Sequence, residues 1–188
     1  MGQDSVQVAE WKGRLFWLWG DTQRPNYPLG NFHTTCAWSD LPEKGGLDPK
    51  DGKEIWHVNF NGYSLVPRPV FAHGLLFIST GYDSPQALAI KPDGMGDVTE
   101  THIAWRLDKG APHNPSMVVV GDELYMVADS GLLSCVDAKE GKVIYKERAT
   151  GGISASLLYG DGKIFLQDES GKATVVKAGR TFEVLGKN

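Results

Sequence analysis

The sequence predicts an all-β fold built from a repeated unit of four short strands. Residues 115–145 show this unit most clearly, because four apolar runs alternate there with turns that contain Gly and Asp. The unit recurs, since Phe77, Tyr125 and Phe165 follow equivalent turns and stand 48 and 40 residues apart. A period of roughly 40–45 residues with four strands is typical of a β-propeller blade. No window shows sustained helical spacing of apolar residues, so we expect little helix.

The repeat predicts a partial propeller of about three four-stranded blades. They belong to a propeller region at 51–188 and occupy residues 63–107, 112–148 and 153–186. Because a propeller needs roughly four to eight blades to close, three blades leave open edges. We therefore expect a fragment of a longer gene, a dimer, or an N-terminal segment that covers an edge.

One aromatic position recurs in the repeat. Trp56, Trp105 and Tyr145 align near the start of the outer strand of successive units. A large ring at this position can pack between adjacent blades, so we predict a structural role for all three side chains.

Residues 1–50 do not follow the repeat. Residues 5–20 are predicted to form a hairpin that turns at Lys12-Gly13. Residues 21–50 contain four prolines and no run of four strand-favouring residues, which predicts a long loop or a set of extended segments. The alternative is that residues 1–50 form an imperfect blade or a cap.

Two family resemblances follow from these motifs. The pattern Asp137-Ala138-Lys139-x-Gly141-x-x-x-Tyr145 resembles the repeat of the PQQ-like (quinoprotein dehydrogenase-like) β-propeller family, which includes the outer-membrane assembly lipoprotein BamB. This resemblance covers roughly residues 47–188. It implies a propeller scaffold and an exported bacterial protein, periplasmic or secreted, although no signal peptide is recognised at the N-terminus. Residues 13–22 resemble a strand and loop of five-bladed glycosidase-type propellers.

Composition narrows the classes of partner. The net charge is −4 and there is no basic run, which argues against nucleic acid and anionic membrane surfaces. No stretch of 18 apolar residues is present, so no spanning helix is expected. Of the two cysteines, Cys135 is predicted to be a small buried residue of a strand, and a disulfide with Cys36 is the alternative.

The sequence contains no catalytic constellation. The resemblance raises PQQ as a cofactor, and members that bind it use adjacent cysteines, a stacking Trp and a carboxylate/Asn set around Ca²⁺. Cys36 and Cys135 are not adjacent and no matching cluster is visible, so we expect no cofactor. The five histidines lack the spacing of a zinc site, so we expect no metal.

The leading hypothesis is therefore a non-catalytic binding or scaffolding module. Its partner would be another protein, or a second copy bound through open blade edges. The alternative is a remnant of a carbohydrate-active enzyme, or a sugar-binding protein, that uses the Trp-rich N-terminal segment. Candidate contacts for a ligand or partner are Trp19, Asp21, Trp38, Arg68, His113 and Asn114. His113 is of particular interest because it precedes an inner strand, where propeller loops face the channel mouth.

Overall fold

The described part of the protein consists of strands and their connections. A computed structural model describes residues 5–11, 14–23, 32–40 and 56–188, with side chains from residue 56 onward. Within these ranges there is no helix, and 17 strands form four separate sheets. The predicted fold class, an all-β partial propeller, is confirmed.

Each sheet is built around four strands that are consecutive in the chain, apart from one short insertion. The first sheet contains β1 (Ser5–Trp11), β2 (Arg14–Gln23), β3 (Phe32–Asp40), β4 (Trp56–Asn59) and, at its edge, β8 (Gly96–Asp97). The second contains β5 (Val70–Ala72), β6 (Leu75–Ser79), β7 (Ala87–Ile90) and β9 (Ile103–Leu107). The third contains β10 (Val118–Val120), β11 (Glu123–Val127), β12 (Leu132–Asp137) and β13 (Val143–Arg148). The fourth contains β14 (Leu158–Gly160), β15 (Lys163–Gln167), β16 (Ala173–Lys177) and β17 (Val184–Lys187).

The first sheet differs from the sequence prediction. The expected hairpin is present as β1 and β2, but β3 lies inside the stretch for which a long loop or extended segments are predicted. Strand-favouring residues, among them Thr34, Thr35 and Trp38, account for β3. The prolines that suggested a loop lie outside this strand. Strands β1–β4 thus form a sheet with the same strand order as the other three.

The insertion in the second repeat also forms structure. Within this insertion, Gly96–Asp97 forms the short strand β8, which pairs in parallel with β4. The amide side chain of Asn59 donates to Asp97 Oδ2 at 3.0 Å, and its backbone N–H donates to Thr99 Oγ1 at 2.8 Å. The insertion therefore ties the second repeat to the first sheet.

All four sheets share one register. A row of four directly paired residues, the central row, crosses each sheet from its inner to its outer strand. These rows are Gln7–Leu18–Cys36–Trp56, Val70–Phe77–Ala89–Trp105, Val118–Tyr125–Cys135–Tyr145 and Leu158–Phe165–Val175–Gly186. In the last three sheets the register shifts immediately after the third residue of the row.

The core lies between neighbouring sheets. We call the face of each sheet that carries the central row its leading face, and the opposite face its trailing face. Phe77 and Ala89 on the leading face of the second sheet pack against Leu124, Met126 and Val136 of the third. The same arrangement joins the third sheet to the fourth, where leading-face residues Tyr125 and Cys135 pack in one cluster with Ile164, Leu166 and Val176.

In the first three sheets, the central row ends on the outer strand in an aromatic residue that contacts the next repeat. The indole N–H of Trp56 donates to the carbonyl of Pro92 at 3.1 Å, and that of Trp105 donates to the carbonyl of Ala138 at 3.0 Å. Tyr145 contacts the ring of Phe182 at 5.6 Å between centroids. The prediction that these three rings pack between adjacent blades is confirmed.

Cys135 is a free, fully buried thiol on the leading face of the third sheet, as predicted. Burial raises its pKa to about 11, and the hydroxyl of Tyr125 partly opposes that shift. Cys36 belongs to the central row of the first sheet, with the second sheet between the two positions.

Candidate functional site

The site begins with a turn that is longer than its equivalents. The turn between β6 and β7 is closed by the backbone bond from Thr80 N–H to the Gln86 carbonyl, with five residues between them. In the third sheet the equivalent bond joins Ala128 to Leu132, with three residues between them. The longer turn carries Tyr82 to the end of the sheets where the connections between sheets also lie.

Three rings stack at this end of the molecule. Tyr63 and Tyr82 lie 5.9 Å apart between ring centroids, at an interplanar angle of 24°. The other side of the stack is His113, 4.8 Å from Tyr82 at 12°. Tyr63 and Tyr82 are 40% and 36% exposed. We call Tyr63, Tyr82 and His113 the aromatic stack, and it presents a partly exposed surface at the junction of the second and third sheets.

Asp129 fixes the position of the stack. Its Oδ2 accepts the backbone N–H of His113 at 2.7 Å, and its Oδ1 accepts the side-chain amide of Asn114 at 2.6 Å. The Asn114 amide also contacts the hydroxyl of Tyr82 at 3.3–3.4 Å. Hydrogen bonds to a charged carboxylate are stronger than neutral ones, so the site is held in one arrangement before any partner binds.

His113 contributes a polar atom that the described residues leave unsatisfied. Its Nδ1 lies 3.6 Å from Asp129 Oδ2, while its Nε2 is shielded from solvent and has no hydrogen-bond partner within residues 56–188. An unsatisfied buried nitrogen costs stability and is therefore uncommon in native proteins. Its presence here sets His113 apart from a histidine in an ordinary surface turn.

Apart from His113 Nε2, the polar groups of this cluster are engaged with one another. Both oxygens of Asp129 are occupied by groups that hold the site in place. In the part of the chain that the structure describes, no three His, Cys, Asp or Glu side chains come together as a possible metal site. The exposed parts of the Tyr63 and Tyr82 rings remain available to a ligand.

The other predicted contact residues lie elsewhere. Arg68 is exposed, and its backbone N–H donates to Ser116 Oγ at 2.9 Å. Trp19 and Asp21 belong to β2 and Trp38 to β3, all in the first sheet, and their side chains lie outside the described residues. Along the ladder, Trp19 pairs with Thr35, three positions from Trp38, which is about 10 Å at the usual strand rise.

The structure thus brings together two of the six predicted residues, His113 and Asn114. It adds Tyr63, Tyr82 and Asp129, which the sequence analysis did not select. Alignment of the repeats could have indicated Tyr82, because the turn that carries it is two residues longer than the equivalent turns. Asp129 appeared in the sequence only as a turn residue.

Comparison with protein families agrees with this architecture. The family model described as outer membrane protein assembly factor BamB matches residues 96–181. The matched residues resemble the PQQ-like β-propeller repeat, and they make up less than half of the chain. A propeller of this kind is a scaffold that can carry a binding surface.

Solved structures show the same fold. The crystal structure of BamB from Moraxella catarrhalis matches with a TM-score of 0.62 and 13% identity, over 100% of this chain and 51% of that one. The quinohemoprotein alcohol dehydrogenase ADHIIG from Pseudomonas putida HK5 matches with a TM-score of 0.58 and 13% identity, over 71% and 22% of the two chains. A europium-containing methanol dehydrogenase matches with a TM-score of 0.51 and 12% identity, over 63% of this chain and 23% of that one.

The chain spans about half of the BamB chain and less than a quarter of either dehydrogenase. No protein of curated function matches it. Among the residues that the structure describes, no helix is both long and apolar enough to cross a membrane.

Proposed function

We propose that this chain is a non-catalytic module of an exported bacterial protein, and that it binds a protein partner through the aromatic stack. The observation that carries the proposal is the partly exposed stack of Tyr63, Tyr82 and His113, in which Asp129 accepts the backbone N–H of His113. Tyrosine rings supply large contact areas at low entropic cost and are enriched among the residues that dominate binding energy.

The surroundings of the stack suggest the chemistry of the partner. The Tyr63 hydroxyl donates to Asp83 Oδ1 at 3.5 Å, and Asp83 is exposed. An aromatic face beside a carboxylate suits an arginine, whose guanidinium can stack on a ring and pair with the acid. We therefore propose that the partner inserts an exposed arginine at Tyr63 and Tyr82.

The setting of the module is inferred from its relatives. The matching family model is described as an outer membrane assembly factor, so we propose a periplasmic or secreted location. The proposal also makes the chain one part of a larger propeller, since it aligns with 51% of the BamB chain. It includes no PQQ or other cofactor.

Photo-cross-linking from the stack tests the proposal. p-Benzoylphenylalanine would replace Tyr82 in the bacterium that produces the protein, and the control would carry it at Tyr159, which is exposed to a similar degree at 42%. We expect one protein adduct from Tyr82 and none of that mass from Tyr159.

The captured protein is then purified and its affinity measured against the wild type and Tyr82→Ala. Loss of a central tyrosine typically costs about 2 kcal/mol or more, so we expect affinity to fall roughly thirtyfold. Equal adducts from both positions, or an unchanged affinity for Tyr82→Ala, would contradict the proposal.

A further inference from the structure

No described residue covers the central part of the leading face of the fourth sheet. Phe77 and Tyr125, at the second position of the central row in the second and third sheets, are both 0% exposed. At the same position in the fourth sheet, Phe165 is 37% exposed, and its row neighbour Leu158 is 66% exposed. The difference arises because the first two rings are covered by the next sheet, whereas no described residue covers Phe165 in this way.

The junctions between the second and third sheets and between the third and fourth show which residues cover the leading face of a sheet. Tyr125 packs in one cluster with Ile164 and Leu166, which alternate along β15 on its trailing face. Leu124 and Met126 hold the same positions in the cluster that contains Phe77. The fourth sheet therefore presents one half of a sheet-to-sheet junction, and the missing half is the trailing face of another sheet of this repeat.

The first sheet supplies such a face. Its leading face packs on the second sheet, where Trp56 and Val58 form one cluster with Leu76 and Ile78. Its trailing face is therefore the one on which a further sheet of the repeat would pack. In β2, Leu18 belongs to the central row, and strand alternation assigns Trp17 and Trp19 to the trailing face. These two tryptophans hold the register positions that Ile164 and Leu166 hold in β15.

A series of inner-strand hydrogen bonds leads to the same sheet. Two residues before the central row, the Arg68 backbone N–H donates to Ser116 Oγ of the following sheet at 2.9 Å. In turn, the Ser116 N–H donates to Ser156 Oγ at 3.0 Å. The equivalent position in the first sheet is Ser5, two residues before Gln7. If another first sheet followed the fourth, the Ser156 N–H could donate to the hydroxyl of its Ser5, which would continue the series.

We infer that two copies of this chain associate head to tail, the fourth sheet of each packing on the first sheet of the other. Because the whole chain aligns with 51% of the BamB chain, two copies supply about the length of one such propeller. A two-fold axis buries both uncovered faces and gives a closed ring of eight sheets, within the usual range for propellers. This inference extends the predicted self-association from open strand edges to a specific pair of sheet faces.

Mass measurement with matched variants tests the inference. The 20.5 kDa chain should give a particle of about 41 kDa by light scattering, twice the monomer mass. Leu158→Asp places a charge on the leading face and should raise the dissociation constant of the dimer at least tenfold. Tyr159→Asp is the control, because Tyr159 is exposed on the same strand but alternates to the other face. Phe165→Ser, a milder second variant, should also favour the monomer.

A covalent test defines the orientation. In a chain with Cys36 and Cys135 changed to alanine, Ser5→Cys with Ser156→Cys should yield a disulfide-linked dimer on oxidation. Ser5→Cys with Ser116→Cys should not.

Three results would overturn the inference: a 20.5 kDa particle at 100 µM protein, larger open oligomers, or a dimer that Leu158→Asp leaves intact. Tyr82→Ala should change neither the mass nor the cross-link, so failure of the dimer and failure of the proposed partner site are separate outcomes.

Discussion

Replacing Gly141 by alanine tests the packing that joins the second and third sheets at their outer rim. Gly141 lies in the turn between β12 and β13 with φ +70°, and a Cβ atom there would lie 2.6 Å from two atoms of the Trp105 ring. The ring cannot move freely, because its N–H donates to the Ala138 carbonyl. A left-handed alanine costs about 1–2 kcal/mol, and forcing a packed ring aside costs about 1–3 kcal/mol more. We therefore expect Gly141→Ala to lower the free energy of unfolding by about 2–5 kcal/mol.

Gly162→Ala separates the two costs. Gly162 has φ +69°, and nothing lies within 4 Å of a Cβ built there, so only the conformational cost of about 1–2 kcal/mol applies. Urea unfolding followed by tryptophan fluorescence should place the two variants about 1–3 kcal/mol apart. In a Trp105→Leu background the gap should shrink, since the double-mutant cycle removes the clash. A gap below about 0.5 kcal/mol in the wild-type background would refute the Trp105 contact.

Cys135, Asp129 and the expected lack of a cofactor can each be tested in solution. In a Cys36→Ala chain, the Cys135 thiol should resist Ellman's reagent at pH 8 until urea unfolds the protein. Because burial raises the pKa of Cys135 from 9.0 to about 11, its contribution to stability should be complete below pH 9 and be lost as pH rises through 11, which urea unfolding at several pH values can measure. Asp129→Ala should cost about 1–3 kcal/mol in urea unfolding, since it leaves the His113 N–H and the Asn114 amide without their acceptor. Adding PQQ with Ca²⁺ should leave the melting temperature unchanged, and a rise that depends on PQQ concentration would contradict the expectation of no cofactor.

The sequence predicts the repeated units well because their signals are local. Short turns with Gly or Asp separate the strands within a blade, and alignment of these turns places Trp56, Trp105 and Tyr145 at one position of the repeat. β3 escaped prediction because prolines flank it on both sides and its strand-favouring residues do not form a run of four. Its pairing with β2 and β4, which lie elsewhere in the chain, establishes it as a strand.

The site was harder to predict because its members come from four separate connections. Position alone indicated His113 and Asn114, since both precede an inner strand. Tyr82 reaches His113 only because the turn that carries it is longer than the equivalent turns and folds toward the next sheet. Asp129 resembles an ordinary turn aspartate until the structure shows which N–H groups it accepts. Sequence periodicity does not encode contacts of this kind.

Departures from the repeat explain why this junction is a candidate for binding. His113 stands where the fourth sheet has Ile153, which is fully buried in the core between the third and fourth sheets. A histidine there leaves Nε2 unsatisfied, at a typical cost of about 1–3 kcal/mol, and gains a stacking partner for Tyr82. His113→Ile should therefore stabilise the chain in urea unfolding, by about 1 kcal/mol after loss of the ring contact, while it weakens binding of the partner captured at Tyr82. If His113→Ile lowers stability and leaves that affinity unchanged, the histidine serves the junction and not the partner.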